Sequence, residues 1–500
     1  MGGRWSRRLL PTLVAALAHA GSLAGAESPS EIARKALGEG QRLWQLRRTR
    51  SAIEALEGAA KDREASAEAQ YRLGRIYFFK GWESEGAFPG WHEEPGYREQ
   101  ALAAFRAAIA ARPAWPDPRV GLGEALLRAG RASDALASFD EALAREPSAE
   151  AARVGRWKAL KALGRTEAIA PEVAASAKAS DPRLLGAARQ GYELLGQQAE
   201  ADALTKQVLE RLPNSPTAEA ARADRIQAAR GAKQYAAVIE EARAFAEPFP
   251  GSARLPAVLD ALLEAYQATP STTAEAIAAA IDARLKARPD PGAYLAWAGL
   301  LAGRGVMLDR VVKLAEDAVP AAETFIDENL GSYKLADKAR GSLNRTRAAA
   351  ADLIGWAHFL KGDAETAAAR LAEADRLSRG QDLANQFHLG ELARTQGALE
   401  DARERYLNAL SLAAGPEPLR AAARKALAEV YARLGNDPAG FEAWAQAEFQ
   451  RRREQRHADA LRSLVDRPAP PLKLTDLSGR TLDLLALRGK ALVLNFFASW

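Results

Sequence analysis

Few side chains in this 500-residue chain have the type and spacing to do chemistry. There is no cysteine, which excludes a disulfide framework, a cysteine-ligated zinc or iron–sulfur site and a thiol nucleophile within these residues. His92-Glu93-Glu94 offers three potential metal ligands. Consecutive residues on a loop do not converge on one ion, and no second ligand cluster accompanies them, so no metal and no cofactor is expected. These residues sit within 82–100 (WESEGAFPGWHEEPGYREQ), a stretch that is acidic, aromatic and rich in Gly and Pro. Such an insertion in a repeat maps to a loop on one face, where it either contacts a partner or packs on itself over the array edge. The remaining candidate chemistry lies in the last 35 residues and depends on what precedes them.

Composition indicates helices. Alanine, the best helix former, supplies 115 of the 500 residues. Lys+Arg 69 against Asp+Glu 64 gives +5. Arg4, Arg7 and Arg8 supply three of those charges, so the rest of the chain carries 66 against 64, or +2. No basic stripe interleaved with aromatics is present, and nucleic acid is not an expected partner.

The N-terminus reads as a signal peptide over 1–26. Three arginines and no acid precede an apolar run at 9–18 (LLPTLVAALA), and Ala24-Gly25-Ala26 provides small residues for cleavage before Glu27. The run is shorter than the roughly 20 residues of a membrane span. No cysteine follows for a lipid anchor, and Arg7-Arg8 lacks the rest of a twin-arginine pattern. The competing reading is an uncleaved anchor. The mature chain is expected to be soluble and exported, in the periplasm or another extracytoplasmic space, with no membrane span after cleavage.

Residues 27–450 are expected to form helical pairs. Pro113 and Pro147 are 34 residues apart, and between them Leu122-Gly123, Leu126, Ala135, Phe139 and Ala142 fall at fixed offsets. Leu73-Gly74, Tyr77, Ala101, Phe105, Ala108 and Pro113 give a second copy with about fifteen extra residues between the helices. Leu389-Gly390, Ala393, Ala402, Tyr406 and Ala409 give a third, and Ile354-Gly355, His358, Ala367, Leu371 and Ala374 a fourth. Small residues let two antiparallel backbones approach, large ones fill the gap, Gly130 ends a first helix, and Pro147 stops a second. This pattern resembles the tetratricopeptide repeat (TPR). Good copies are placed at about 67–113, 116–147, 347–378 and 382–412, with degenerate ones over 149–320 stopped at Pro182, Pro213, Pro250 and Pro289. Trp157, Trp297, Trp356 and Trp444 are expected to pack in the core. Residues 321–346 interrupt the period, 450–456 (QRRREQR) read as a solvated helix face, and 451–467 as a linker helix. Such arrays bind protein partners on a concave face.

At 468 the composition shifts. Pro468-Ala469-Pro470-Pro471 ends the helices, residues 472–474 and 481–484 read as two strands around a turn, and 491–497 (ALVLNFF) as a buried strand. Ala469-Pro470, Leu472, Leu474, Asp476, Gly479-Arg480, Leu482, Leu484, Arg488-Gly489-Lys490 and Val493, followed by Asn495, Phe496, Phe497, Ala498, Ser499 and Trp500, resemble the opening of the TlpA/ResA-type thioredoxin-like family. Phe497 replaces the family's commoner Trp. The resemblance implies the β-hairpin and first core strand of an incomplete α/β domain at 468–500, with C-x-x-C immediately after Trp500. No catalytic residue lies within the 500. Asn495–Trp500 are the lead-in to the active-site loop.

The fold expectation is therefore mainly α: an α-α superhelical TPR-like solenoid followed by the start of a thioredoxin-like domain. The expected function is an exported scaffold carrying a thiol–disulfide oxidoreductase, whose partners are a disulfide-bearing protein client and a membrane thiol reductant. The alternative is a binding-only adaptor with a non-catalytic tail, and a peroxiredoxin-type variant is a minor third.

Overall fold

The structure is a computed structural model that describes residues 28–83, 96–329, 336–412, 415–462, 473–475, 481–483 and 486. Contacts divide it into two units. The first holds, of the described residues, 28–44, 49–79 and 96–169, and the second 45–48, 80–83 and those from 170 onward.

The first unit contains α1 (Pro29–Gln45), α2 (Thr49–Ala59), α3 (Ser66–Phe78), α4 (Tyr97–Ala111), α5 (Asp117–Arg128), α6 (Ala132–Leu143) and α7 (Glu150–Ala162). Helices α3–α4 and α5–α6 pack as antiparallel hairpins, and the first helices α3, α5 and α7 pack side by side. The second unit runs from α8 (Ile169–Ser176) through α9 (Pro182–Leu195), α10 (Gln198–Arg211), α11 (Pro216–Gly231), α12 (Tyr235–Ala246), α13 (Leu255–Ala268) and α14 (Ala274–Ala287). It continues with α15 (Pro291–Gly303), α16 (Leu308–Asn329), α17 (Ala336–Leu360), α18 (Ala364–Ser378), α19 (Leu383–Thr395), α20 (Leu399–Ser411), α21 (Glu417–Arg433) and α22 (Phe441–Arg462). Here too consecutive helices from α9 to α20 form hairpins, and α15, α17, α19 and α21 pack in sequence. Each unit is an α-α array of successive packed helices.

The hairpins are set by a ring seated where the facing helix has no side chain. A Cβ at Gly123 would lie 2.7 Å from the Phe139 ring, and one at Gly155 on the next first helix would strike the same ring. Phe105 is held in the same way between Gly74 and Gly121, where a Cβ would stand 2.6 and 2.5 Å away. Phe105, Phe139 and their flanking Ala101, Ala108, Ala135 and Ala142 are fully buried, with Leu73 and Leu126 nearly so. Leu122 and Tyr77 are half-buried. The second helices then end before Pro113 and Pro147, both exposed. Gly130 adopts φ 75°, and the Arg131 N–H donates to the Leu126 carbonyl across it, closing the helix end.

The same register recurs where the sequence pattern fades. From Gly123 the buried partners lie 12, 16 and 19 residues on. Gly40 is followed at those distances by Ala52, Leu56 and Ala59, a copy that the sequence reading missed. Ile226 is followed by Val238, Ala242 and Phe245, so the large residue moves to the first helix and the small one to the second. Ala265 is followed by Ile277, Ile281 and Arg284, and Gly299 by Val311, Ala315 and Ala318. In α9 a buried Arg189 replaces the glycine and pairs with Glu193 (2.7 Å) and Asp224 (3.0 Å).

Several expectations need correction. Pro182 opens α9 rather than stopping a helix, because the first helical position lacks an N–H partner in any case, and Asp181 caps it by accepting from the Arg183 N–H. The interruption of the period at 321–346 falls on two long helices, since α16 carries Pro320 inside it and reaches Asn329 and α17 begins at Ala336, while 330–335 lie outside the described residues. Of the expected linker helix at 451–467, residues 451–462 are the second half of α22, which continues from the array, and 463–467 lie outside the described residues. Nor is 450–456 wholly solvated, since the Arg452 guanidinium reaches Asn408 (2.7 Å), Glu404 and Glu448. Trp157 and Trp297 are buried, whereas Trp356 and Trp444 are half-buried.

Beyond the helices, β1 (Lys473–Thr475) pairs antiparallel with β2 (Thr481–Asp483), with Leu474 opposite Leu482. Residues 1–27, 84–95 and 491–500 lie outside the described residues, and with them the signal peptide, His92-Glu93-Glu94, the 491–497 strand and the lead-in residues. Among the described residues no helix is long and apolar enough to cross a membrane.

The glycine notch makes two substitutions diverge. Gly123→Ala is expected to destabilise by about 1–3 kcal/mol, because Phe139 is closed in on both sides. Gly299→Ala, with open space around its Cβ, is expected to stabilise by about 0.5–1 kcal/mol. Urea midpoints followed by circular dichroism test the difference in sign.

Candidate functional site

A polar and aromatic constellation lies on α17 and α19. Asp352, Trp356 and Phe359 recur at i, i+4 and i+7 on α17, which places them on one helix face. Asn385 and His388, three apart on α19, meet that face. Both helices are positioned by the notch: a Cβ at Gly355 would lie 2.8 Å from Leu371, and one at Gly390 2.5 Å from Tyr406.

Asp352 is buried, and a buried carboxylate needs donors. His388 Nδ1 lies 3.0 Å from both of its oxygens, so that nitrogen carries the proton. The Asn385 amide donates to Asp352 (3.1 Å) and to the Leu371 carbonyl (3.0 Å), tying in α18. Its backbone N–H donates to Asp382, the cap of α19 (2.9 Å). Trp356 stacks on His388 at 4.1 Å and 11°, and Phe359 stacks on Trp356 at 4.8 Å and 16°. Phe387 lies 6.4 Å from Trp356 and 6.0 Å from Tyr406. Trp356, Phe359 and Phe387 are half-buried, so the stack keeps apolar area at the surface over a hydrogen-bonded floor.

Two further networks fix α19. Gln386 donates to Asp375 (2.6 Å), which also takes Arg405 (2.8 Å). The Tyr406 hydroxyl donates to Glu391 (2.6 Å), whose other oxygen takes Arg394 (2.6 Å). Burial, and then the bond to Glu391, push the Tyr406 phenol well above the usual tyrosine range. The Glu391 carboxylate likewise holds the Arg394 guanidinium above its ordinary value. On α17 the fourth copy's His358 is paired with Asp363 (2.9 Å), and hydrogen bonds from Thr366 hold the Asp363 carboxyl below the usual range.

This arrangement presents rigid rings and buried polar supports. Aromatic side chains with little freedom left to lose are the common anchors of protein interfaces. His388 has its Nδ1 committed to Asp352 and one ring face covered by Trp356, so its role is to hold the tryptophan. Among the described residues no group of His, Asp and Glu is arranged to hold a metal ion.

Of the residues singled out from sequence, Leu73, Gly74, Ala101, Phe105, Ala108, Leu126, Ala135, Phe139, Ala142, Gly390, Ala402, Tyr406 and Ala409 are in the packed seams, and Leu389 is half-buried. None of these contributes a ring to the stack. Asp352, Asn385 and His388 were not singled out. The available signal was three polar residues on otherwise apolar helix faces.

No protein-family model matches the sequence, and no curated protein matches it. Among solved structures, a human IFIT1 dimer with m7Gppp-AAAA is 17% identical, with a TM-score of 0.30, covering 70% of this chain and 86% of that one. Yeast Tom70 is 13% identical, with a TM-score of 0.26 over 87% of this chain and 100% of that one. The P58(IPK) TPR domain is 12% identical, with a TM-score of 0.20 over 81% and 99%. At these scores the fold rests on the helix pairing described above.

Two outcomes are expected. Asp352→Ala leaves the His388 and Asn385 donors without an acceptor, costs about 2–4 kcal/mol, and changes Trp356 fluorescence as the stack loosens. For Tyr406 the folded pKa lies above the unfolded value of about 10. Its stabilisation is therefore complete below that pH and is lost as pH rises toward the folded value. The native chain should lose stability above pH about 10 more steeply than Tyr406→Phe, as measured by urea midpoints across that range.

Proposed function

We propose that this chain is a TPR-type scaffold for protein partners, exported from the cytoplasm, whose C-terminal residues open a TlpA-like thiol–disulfide oxidoreductase domain. The scaffold reading is supported chiefly by the repeated hairpin register, which leaves the rigid ring stack of Trp356, Phe359 and Phe387 half-buried on neighbouring first helices. A helical-repeat array offers extended surface and no chemistry of its own. The binding partner in this reading is a protein segment with apolar side chains that cover the stack.

The redox reading rests on the spacing of residues 469–500 alone. In a completed domain the first cysteine of C-x-x-C would stand at a helix N-terminus, where unpaired N–H groups favour the thiolate. It would attack a substrate disulfide, and the second cysteine would resolve the mixed disulfide. The residues present would supply the strand and the lead-in, with Asn495 to Trp500 ahead of the reactive loop. Export is supported by the pattern of residues 1–26, and removal of that segment would leave Glu27 at the mature N-terminus.

The test begins with the gene beyond codon 500. The reading expects C-x-x-C there. The extended protein should reduce insulin disulfides, replacement of either cysteine by serine should abolish this, and the 500-residue chain should show no turnover. A stop codon, or turnover that persists without cysteine, removes the oxidoreductase reading and leaves the scaffold.

A further inference from the structure

Between α20, α21 and α22 lies a half-open cavity of about 290 Å³, lined by Leu410, Ser411, Arg420, Arg424, Phe449 and Arg453. It shares no lining residue with the ring stack of α17 and α19.

Three of its six lining residues are arginines. Arg420 is pinned at the end of α20, where its two terminal nitrogens donate to the Leu412 (2.7 Å) and Leu410 (3.0 Å) carbonyls. Those carbonyls orient the guanidinium without cancelling its charge. Arg424, one turn further along α21, pairs with Glu442 and lies 5.8 Å from the Phe441 ring. Arg453 on α22 is exposed and has no partner among the described residues. Its neighbours in sequence behave differently: Arg451 and Arg452 are both paired with Glu448. The three lining arginines thus meet one carboxylate, Glu442, which leaves a local excess of positive charge.

Two more observations point to a ligand. The Ser411 hydroxyl oxygen is buried without a hydrogen-bond partner, and of the eight such side-chain atoms among the described residues it alone belongs to a residue lining this cavity. Leu410 and Phe449 give the cavity apolar walls beside its cations. The volume is near the lower end of small-molecule sites and larger than a bare inorganic anion requires. Guanidinium forks match carboxylate and phosphate oxygens two at a time.

We propose that this cavity binds a small organic oxyanion, with its carboxylate or phosphate held by Arg420, Arg424 and Arg453 and its apolar body against Leu410 and Phe449. The shared chemistry is an oxyanion on an apolar body, and the choice of head group is open to measurement.

Isothermal titration at constant ionic strength with hexanoate, phenyl phosphate and inorganic phosphate tests this on the whole chain. Hexanoate or phenyl phosphate should bind, and the tighter of the two assigns the head group. Inorganic phosphate should bind at least about tenfold more weakly, because it has nothing to place against Leu410 and Phe449. Arg453→Gln should weaken the organic anion by about tenfold while leaving thermal unfolding unchanged, since Arg453 makes no structural pair. Arg420 is a poorer first variant because it also ties down the end of α20. Absence of binding by both organic anions up to about 10 mM, equal binding by inorganic phosphate, or unchanged affinity in Arg453→Gln would overturn the proposal.

Discussion

A ring needs space that another backbone must leave empty. Phe139 between Gly123 and Gly155, and Phe105 between Gly74 and Gly121, meet this requirement by the absence of a side chain on two neighbouring first helices. The contact sets the separation of the two helices in a hairpin and the approach of the next first helix together. Helix propensity makes the rods, since alanine is abundant. Propensity does not say which faces meet, and packing is what holds short helices together.

The same constraint explains why the repeat is hard to read in the middle of the chain. A packed interior conserves volume more strictly than identity. In α11–α12 the large residue at the seam is Ile226 and the small one Ala242, the reverse of Gly123 and Phe139. In α9 an arginine fills the position, with its charge matched by Glu193 and Asp224. A search for glycine followed by an aromatic passes over these hairpins, although the buried positions keep the same spacing.

The buried Asp352 carboxylate enters the α17–α19 seam with donors supplied, whereas Trp297 Nε1 and Asn385 Oδ1 are buried without a partner. Asp352 is tolerated because His388 and Asn385 both donate to it, and that pairing fixes the ring on which Trp356 stacks. Three helices are joined by one carboxylate and one amide, so the exposed edge of the stack inherits the rigidity of the seam beneath it. The cavity beside α21 differs from the Asp352 seam. Its arginines outnumber the carboxylate they meet, and a buried hydroxyl beside them has no partner. Elsewhere on α22 an arginine expected to face water, Arg452, is bound across to Glu404 and Asn408.

Sequence alone determined the helical class, the spacings that seat Phe105, Phe139 and Tyr406 against glycines, and the turn at Gly130, because these depend on local propensity, backbone conformation and short fixed spacings. It also determined the zero cysteine count and the composition change at 468. It did not determine that Pro182 opens a helix, which depends on Asp181 capping the chain ahead of it. Nor did it reveal that Gly40 and Leu56 form another notch, since leucine in place of phenylalanine carries no distinctive signal. The stack of Phe359, Trp356 and His388 and the meeting of Arg420, Arg424 and Arg453 were decided by tertiary structure. Each joins residues separated by about one repeat, so its geometry exists only after the helices carrying those residues have packed.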